Sequence, residues 1–169
     1  MLDTSVLFTL AEIAVALAGF SAIVGVLRSQ KGTTAVLANA IRLQVMMESC
    51  FMVAVVALVP ALLEKFEMGP ELLWRAASAV FLCFAIPFEF IASRRTKNMP
   101  KMTVTRFNIN SINWSLSIGA DLIMFAVLIN VVGGHAEALF LVALVMILVL
   151  SGNLFVQFAS DTFTVPDQG

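Results

Sequence analysis

Five polar side chains stand in register between positions 106 and 121. Arg106, Asn110, Asn113, Ser117 and Asp121 follow one another at spacings of four, three, four and four. On an α-helix that rhythm is one stripe on one face. The stripe runs into a segment apolar enough to enter a bilayer. A charged side chain at mid-bilayer costs about 2.5–3.5 kcal/mol on insertion scales, so each one needs a partner, water or a purpose. Other apolar stretches carry their own polar groups. Glu12 lies near the amino terminus, Gln44 and Glu48 share a face beside Arg42, and Glu89 follows Pro87. Asn153 and Gln157 begin a further face that Ser160 or Asp161 continues. Acids and amides wetted from one side favour cations or protons over anions. The candidate ion path is therefore Glu12, Glu48, Asp121, Asn113, Ser117 and Asn153. Beyond Asp121 the same face continues as Met124, Phe125 and Leu128, an apolar collar of the kind that gates by dewetting.

The same residues allow a plainer arrangement, in which polar groups pair across helices and pin their register. Arg42 with Glu48 or Glu89, and Asn113 with Asn153, are the expected pairs. Gln157, Asp161 and Arg106 are near the surface and need only solvent. Asp121 and Glu12 have no obvious partner in the sequence, and for them both readings stand.

The elements that must position these groups follow from composition. Of 169 residues, 60% are hydrophobic and 12% charged, and the mean hydropathy is +0.99. An ordinary soluble domain is about half apolar and a quarter charged. The net charge of -1 offers no basic surface for nucleic acid. Five runs are about long enough to cross the hydrocarbon: 5–27, 40–63, 72–92, 111–132 and 137–159. This predicts an all-α, polytopic transmembrane bundle in one domain over residues 1–169. The four-residue connector Gly133-Gly134-His135-Ala136 makes the last two runs an antiparallel hairpin. Pro87 lies inside the third run, where a kink is expected.

Basic residues set the orientation. Arg28 and Lys31 occupy the first connector, and Arg94, Arg95, Lys97, Lys101 and Arg106 the third. The second has Lys65 among Glu64, Glu67 and Glu71, and the fourth has none. Basic connectors stay cytoplasmic, which puts the amino terminus outside and the carboxyl terminus inside. With no Tyr in the chain, Trp74 and Trp114 are the expected interfacial anchors, and Arg75 beside Trp74 is expected to snorkel. Cys50 and Cys83 fall in apolar runs and read as buried free thiols.

The first run has a line of small residues, Thr4, Ala11, Ala14, Ala18, Ser21 and Gly25, at spacings of seven, three, four, three and four. On a helix they form a seam that another backbone can approach closely. Glu12, Ala16 and Gly19 form a second line beside it. The seam packs either within the chain or between protomers. A five-span bundle is too small to enclose a pore alone, so a homo-oligomer with the seam at its contact is expected.

Within this run, Leu10 to Gly25 reads LAEIAVALAGFSAIVG. It resembles the opening of a family of small bacterial multi-span integral membrane proteins, whose first helix follows E-[IV]-x-V-A-x-A-G-F-[SAG]-x-I-V. The resemblance covers about a tenth of the chain. The family has no assigned activity, so the resemblance implies a multi-span layout and carries over no functional residues.

Enzyme chemistry finds no purchase. There is one histidine, His135, and no HExxH, no paired cysteines and no intramembrane lysine for a Schiff base. No Ser-His-Asp set can be assembled from membrane-buried serines and a loop histidine. No catalytic residue, metal site or cofactor is expected. The reading is a multi-pass protein of the bacterial inner membrane, lying in the lipid bilayer as an oligomeric cation- or proton-selective channel. The alternative is a non-conducting accessory subunit that binds a membrane protein partner through the first helix.

Overall fold

Hydrocarbon offers no partner for backbone N–H and C=O groups, so a segment crossing it must satisfy them internally, as a helix does. The computed structural model describes residues 4–28, 35–97 and 107–163. They form five α-helices: α1 (Thr4–Arg28), α2 (Ala35–Glu64), α3 (Pro70–Lys97), α4 (Phe107–Leu128) and α5 (Ala136–Phe163). Four have stretches long and apolar enough to cross a membrane, Ser5–Val26, Leu43–Glu64, Pro70–Arg94 and Gly133–Gln157. These mark the chain as a multi-pass membrane protein. In α4 the apolar stretch, Ile112–Leu128, is shorter. Arg106, most of the basic connectors, the carboxyl-terminal tail and the side chains of Arg42, Asn110, Ser160 and Asp161 lie outside the described residues.

The helix ends follow local chemistry. Pro70 opens α3, where its fixed φ suits a first turn and its missing N–H is no loss. The Leu73 amide then bonds the Gly69 carbonyl at 3.0 Å. At the far end of α4, Asn130 adopts φ 58°. The Val131 amide reaches back to the Ala126 carbonyl at 3.3 Å and the Asn130 amide to Val127 at 3.0 Å. That pair of bonds is a Schellman cap, and asparagine is among the few residues that tolerate its left-handed position. The cap stops α4 at Leu128, before the expected end of that run at 132. Ile129 and Val131 are consequently exposed in the turn. Gly133, at φ 55°, begins the short 3₁₀ turn Gly133–His135 that completes the hairpin into α5.

α5 touches all four other helices. α2, α3, α4 and α5 close a ring in chain order, while α1 lies outside it against α2 and α5 and, among the described residues, meets neither α3 nor α4. The core is built from Met46, Val53, Val56, Phe81, Met124 and Phe140, with Leu144 beside them. Trp74 belongs to it: its ring lies 5.3 Å from that of Phe140 at 51°. It is a core residue and not the interfacial anchor expected from its type. Arg75 donates through Nε to the Leu128 carbonyl at 3.0 Å, capping the end of α4, where a cation is favoured. Cys50 is buried as expected, but Cys83 faces outward. α3 remains helical through Pro87.

The small-residue seam packs inside the chain. Ala11, Ala14 and Ser21 are buried. The Ser21 hydroxyl bonds the Leu17 carbonyl at 2.5 Å and lies 3.5 Å from the Met46 sulfur on α2. Gly25 faces Leu43 so closely that a Cβ there would collide with the Leu43 side chain. The face of α1 open to contact is therefore the other one, with Phe8, Val15 and Phe20. Ala14 has no exposed surface, and overfilling a packed core costs about 1–3 kcal/mol. Ala14→Leu is expected to lower unfolding stability in detergent by that amount, while Ala16→Leu on the exposed side leaves it within about 0.5 kcal/mol. Chemical denaturation followed by circular dichroism measures both.

Candidate functional site

The polar stripe of α4 enters the ring. Asn113 is buried and Ser117 and Asp121 half-buried, while Asn110 and Arg106 fall outside the described side chains. Asn113 Oδ1 accepts from Asn153 Nδ2 on α5 at 2.7 Å. This is the expected pair, and it joins the two helices of the α4–α5 hairpin near its open end. A second clasp lies close by. Ser49 on α2 and Ser151 on α5 are buried with their hydroxyl oxygens 2.8 Å apart. Each is also within reach of its own helix, Ser49 with the Met46 carbonyl and Ser151 with the Ile147 carbonyl, both at 2.9 Å. A hydroxyl that bonds back one turn needs no water, which is how a serine sits in a dry helix.

One turn further along, α4 meets α3 differently. Ser117 donates its hydroxyl to Glu89 Oε1. Asp121 lies beside Glu89 at the same contact. The Oδ1 atom of Asp121 is buried and, among the described residues, has no hydrogen-bond partner. Two acids and a hydroxyl thus share the α3–α4 contact, and no described basic side chain is bonded to either acid. Glu89 is the residue that sequence reasoning left out of the candidate path, having offered it or Glu48 as the partner of Arg42, whose side chain lies outside the described residues. A signal for it existed. The core stripe of α3, Trp74, Ser78, Phe81 and Ala85, advances at spacings of four, three and four, and the next step of four is Glu89.

The other candidates are distributed. Glu48 is half-buried on α2 and accepts from Gln44 Nε2 at 2.8 Å, one turn away on the same helix. Glu12 is exposed on α1, and since α1 touches neither α3 nor α4, Glu12 stands apart from Asp121. Of the apolar collar, Met124 is fully buried and Leu128 packs against the core, whereas Phe125 is 52% exposed. The extra degrees between 121 and 125 carry Phe125 outward. The interior face of α4 is instead Asn113, Ala120, Met124 and Val127. His135 is exposed in the hairpin turn. Among the described residues, no group of three or more His, Cys, Asp or Glu side chains is placed to hold a metal. Comparison with protein families, with curated proteins and with solved structures finds no match to this chain.

A carboxyl pair without a base has two chemical resolutions. It shares a proton, or it holds a cation between its oxygens. Among the described residues, either resolution would bring a positive charge to the α3–α4 contact. The Asn113–Asn153 and Ser49–Ser151 clasps differ in kind, since each satisfies itself. A double-mutant cycle on Asn113→Ala and Asn153→Ala is expected to give a coupling of about 0.6–1.7 kcal/mol, the range for buried hydrogen bonds between membrane helices. Unfolding of the two single variants and the double variant in mixed micelles checks it.

Proposed function

We propose that this protein moves protons or small cations across the bacterial inner membrane, with Glu89 and Asp121 as the charge-bearing groups of the path. The observation that carries the reading is the adjacency of these two acids across α3 and α4, with only the Ser117 hydroxyl added and no described base. A structural ion pair would bring opposite charges together. Like groups in a low-dielectric setting repel strongly when both are ionised, and a purely structural contact gains nothing from them. In this reading Asn113, Asn153 and Glu48 line the inward approach, and Met124 with Leu128 forms the apolar barrier. Glu12 takes no part in that approach.

This reading has five crossings, supported by α4 running beside both α3 and α5. Its contacts with Arg75 at one end and Glu89 toward the other lay it along the first two-thirds of α3. Basic residues then place the amino terminus outside and the carboxyl terminus inside. The small bundle conducts as a homo-oligomer, whose protomers meet through outward faces because the α1 seam is occupied within the chain.

The test is flux into liposomes containing purified protein and a trapped pH indicator, driven by an imposed potassium diffusion potential and repeated with sodium and potassium indicators. Wild-type protein is expected to pass protons or one of these cations above protein-free vesicles. Asp121→Asn and Glu89→Gln each lower that rate about tenfold or more, equivalent to about 1.4 kcal/mol. Asn153→Ala, which touches a self-satisfied clasp, changes it less. Wild-type vesicles as tight as protein-free ones, or variants that conduct like the parent, end the proposal.

A further inference from the structure

Glu12 is a carboxyl group with no counterpart among the described residues. It lies on the exposed side of α1 inside the apolar stretch Ser5–Val26. Seven residues beyond Ser5, at 1.5 Å each, it is about 10 Å into that stretch. None of the described residues bonds to it. Its nearest polar neighbour along the same face, Thr9, is turned to its own helix and bonds the Ser5 carbonyl at 2.9 Å. Ala16 and Gly19, which continue the line of Glu12, are exposed too. A Cβ placed on Gly19 would meet nothing within 4 Å. An intramembrane acid normally faces a bundle interior or pairs with another group. Here the interior is behind it, and the pairing group must arrive from outside.

Charge decides what kind of helix that is. Two copies of this chain meeting about a twofold axis would set Glu12 against Glu12, since such a contact uses the same patch on both sides. Among the described basic side chains of a second copy, only Arg75 lies at a comparable depth, and it is already engaged. Lys65 follows the end of α2 and Arg75 is engaged with the end of α4, while Arg94 lies over the Phe90 ring toward the other end of α3. We infer that the Glu12 face of α1 docks a transmembrane helix of a different protein, one carrying a lysine or arginine about a third of the way through its own span. Ala16 and Gly19 let that helix come close enough for the two side chains to meet out of contact with lipid. The inference is independent of conduction, because α1 stands outside the ring that holds Glu89 and Asp121.

The experiment uses full-length protein, donor-labelled at its carboxyl terminus, in phosphatidylcholine vesicles. The probe is an acceptor-labelled leucine-alanine transmembrane peptide with one lysine a third of the way from one end. The control peptide has leucine in its place. Energy transfer is titrated against peptide density. The lysine peptide is expected to associate about tenfold more tightly than the control, in line with polar contacts between membrane helices. Glu12→Gln is expected to erase that preference, and Glu12→Asp to retain it. Glu12 is exposed, so these variants keep the fold, and an unchanged circular dichroism melt confirms it. Equal association of the two peptides overturns the inference, as does a lysine preference that survives Glu12→Gln. Transfer between donor- and acceptor-labelled copies of the protein that Glu12→Gln abolishes also overturns it, assigning the face to a second copy.

Discussion

α5 is held between α2 and α4 by two polar clasps, and the arrangement of the ring depends on them. In lipid the tails are as apolar as the side chains, so burying leucine against leucine gives helices little reason to prefer one register over another. Direction comes from polar atoms that have nowhere else to go. Ser49 with Ser151 fixes α2 on α5, and Asn153 with Asn113 fixes α4 on α5. Both clasps lie within three residues of each other on α5, so one short segment of a single helix sets the height of two neighbours. α3 is then placed by α4, through Arg75 on the Leu128 carbonyl at one end and Ser117 on Glu89 toward the other.

α1 is attached by different means. Its contact with α2 relies on the absence of side chains: Ala14 fully enclosed, Gly25 against Leu43, Ser21 against Met46. Close approach of backbones is the main source of attraction available to such a pair. This explains why α1 can be apolar on every face and still have a defined inner side. Its acid lies on the opposite, exposed side, away from the tight contacts at Ala14, Ser21 and Gly25.

Much of this was legible from spacing alone. The helical runs, the hairpin before α5, the α4 stripe and the Asn113–Asn153 pair follow from 3.6-residue periodicity, which is the same in lipid as in water. What escaped depends on facts that periodicity does not contain. Apolarity through Ile129 to Val132 implied a longer fourth helix, but one asparagine in the left-handed conformation capped it at Leu128. Trp74 was assigned to the interface by residue type, while the partner that holds it inside, Phe140, comes from a helix 66 residues away. Phe125 seemed to continue the face of Asp121, yet a spacing of four advances 40° beyond a full turn, and at the edge of a buried stripe that is enough to turn a ring outward. The seam was visible, but whether it met its own chain or another's depended on Leu43 and Met46, which belong to the next helix.

Glu89 shows most clearly where one-dimensional reading stops. Its charge suggested a cation as partner, and Arg42 was the nearest in type. Which residue an intramembrane acid meets is decided by which helix is beside it and at what height. Here Arg75 and Ser117 bring α3 into register with α4 so that Glu89 lies opposite Asp121. Opposite charges would have made this contact self-sufficient, as the amide and hydroxyl clasps on α5 are. Two acids with no described base beside them leave it to share a proton or to hold a cation, which is what the proposed path uses. The same logic separates the two charged features of the molecule. Glu89 and Asp121 lie half-buried at the α3–α4 contact, whereas Glu12 is exposed on α1, which touches neither of those helices. In the two proposals a small positive species is taken up between α3 and α4 and a larger one on the outer face of α1, and the separation of α1 from α3 and α4 keeps them apart.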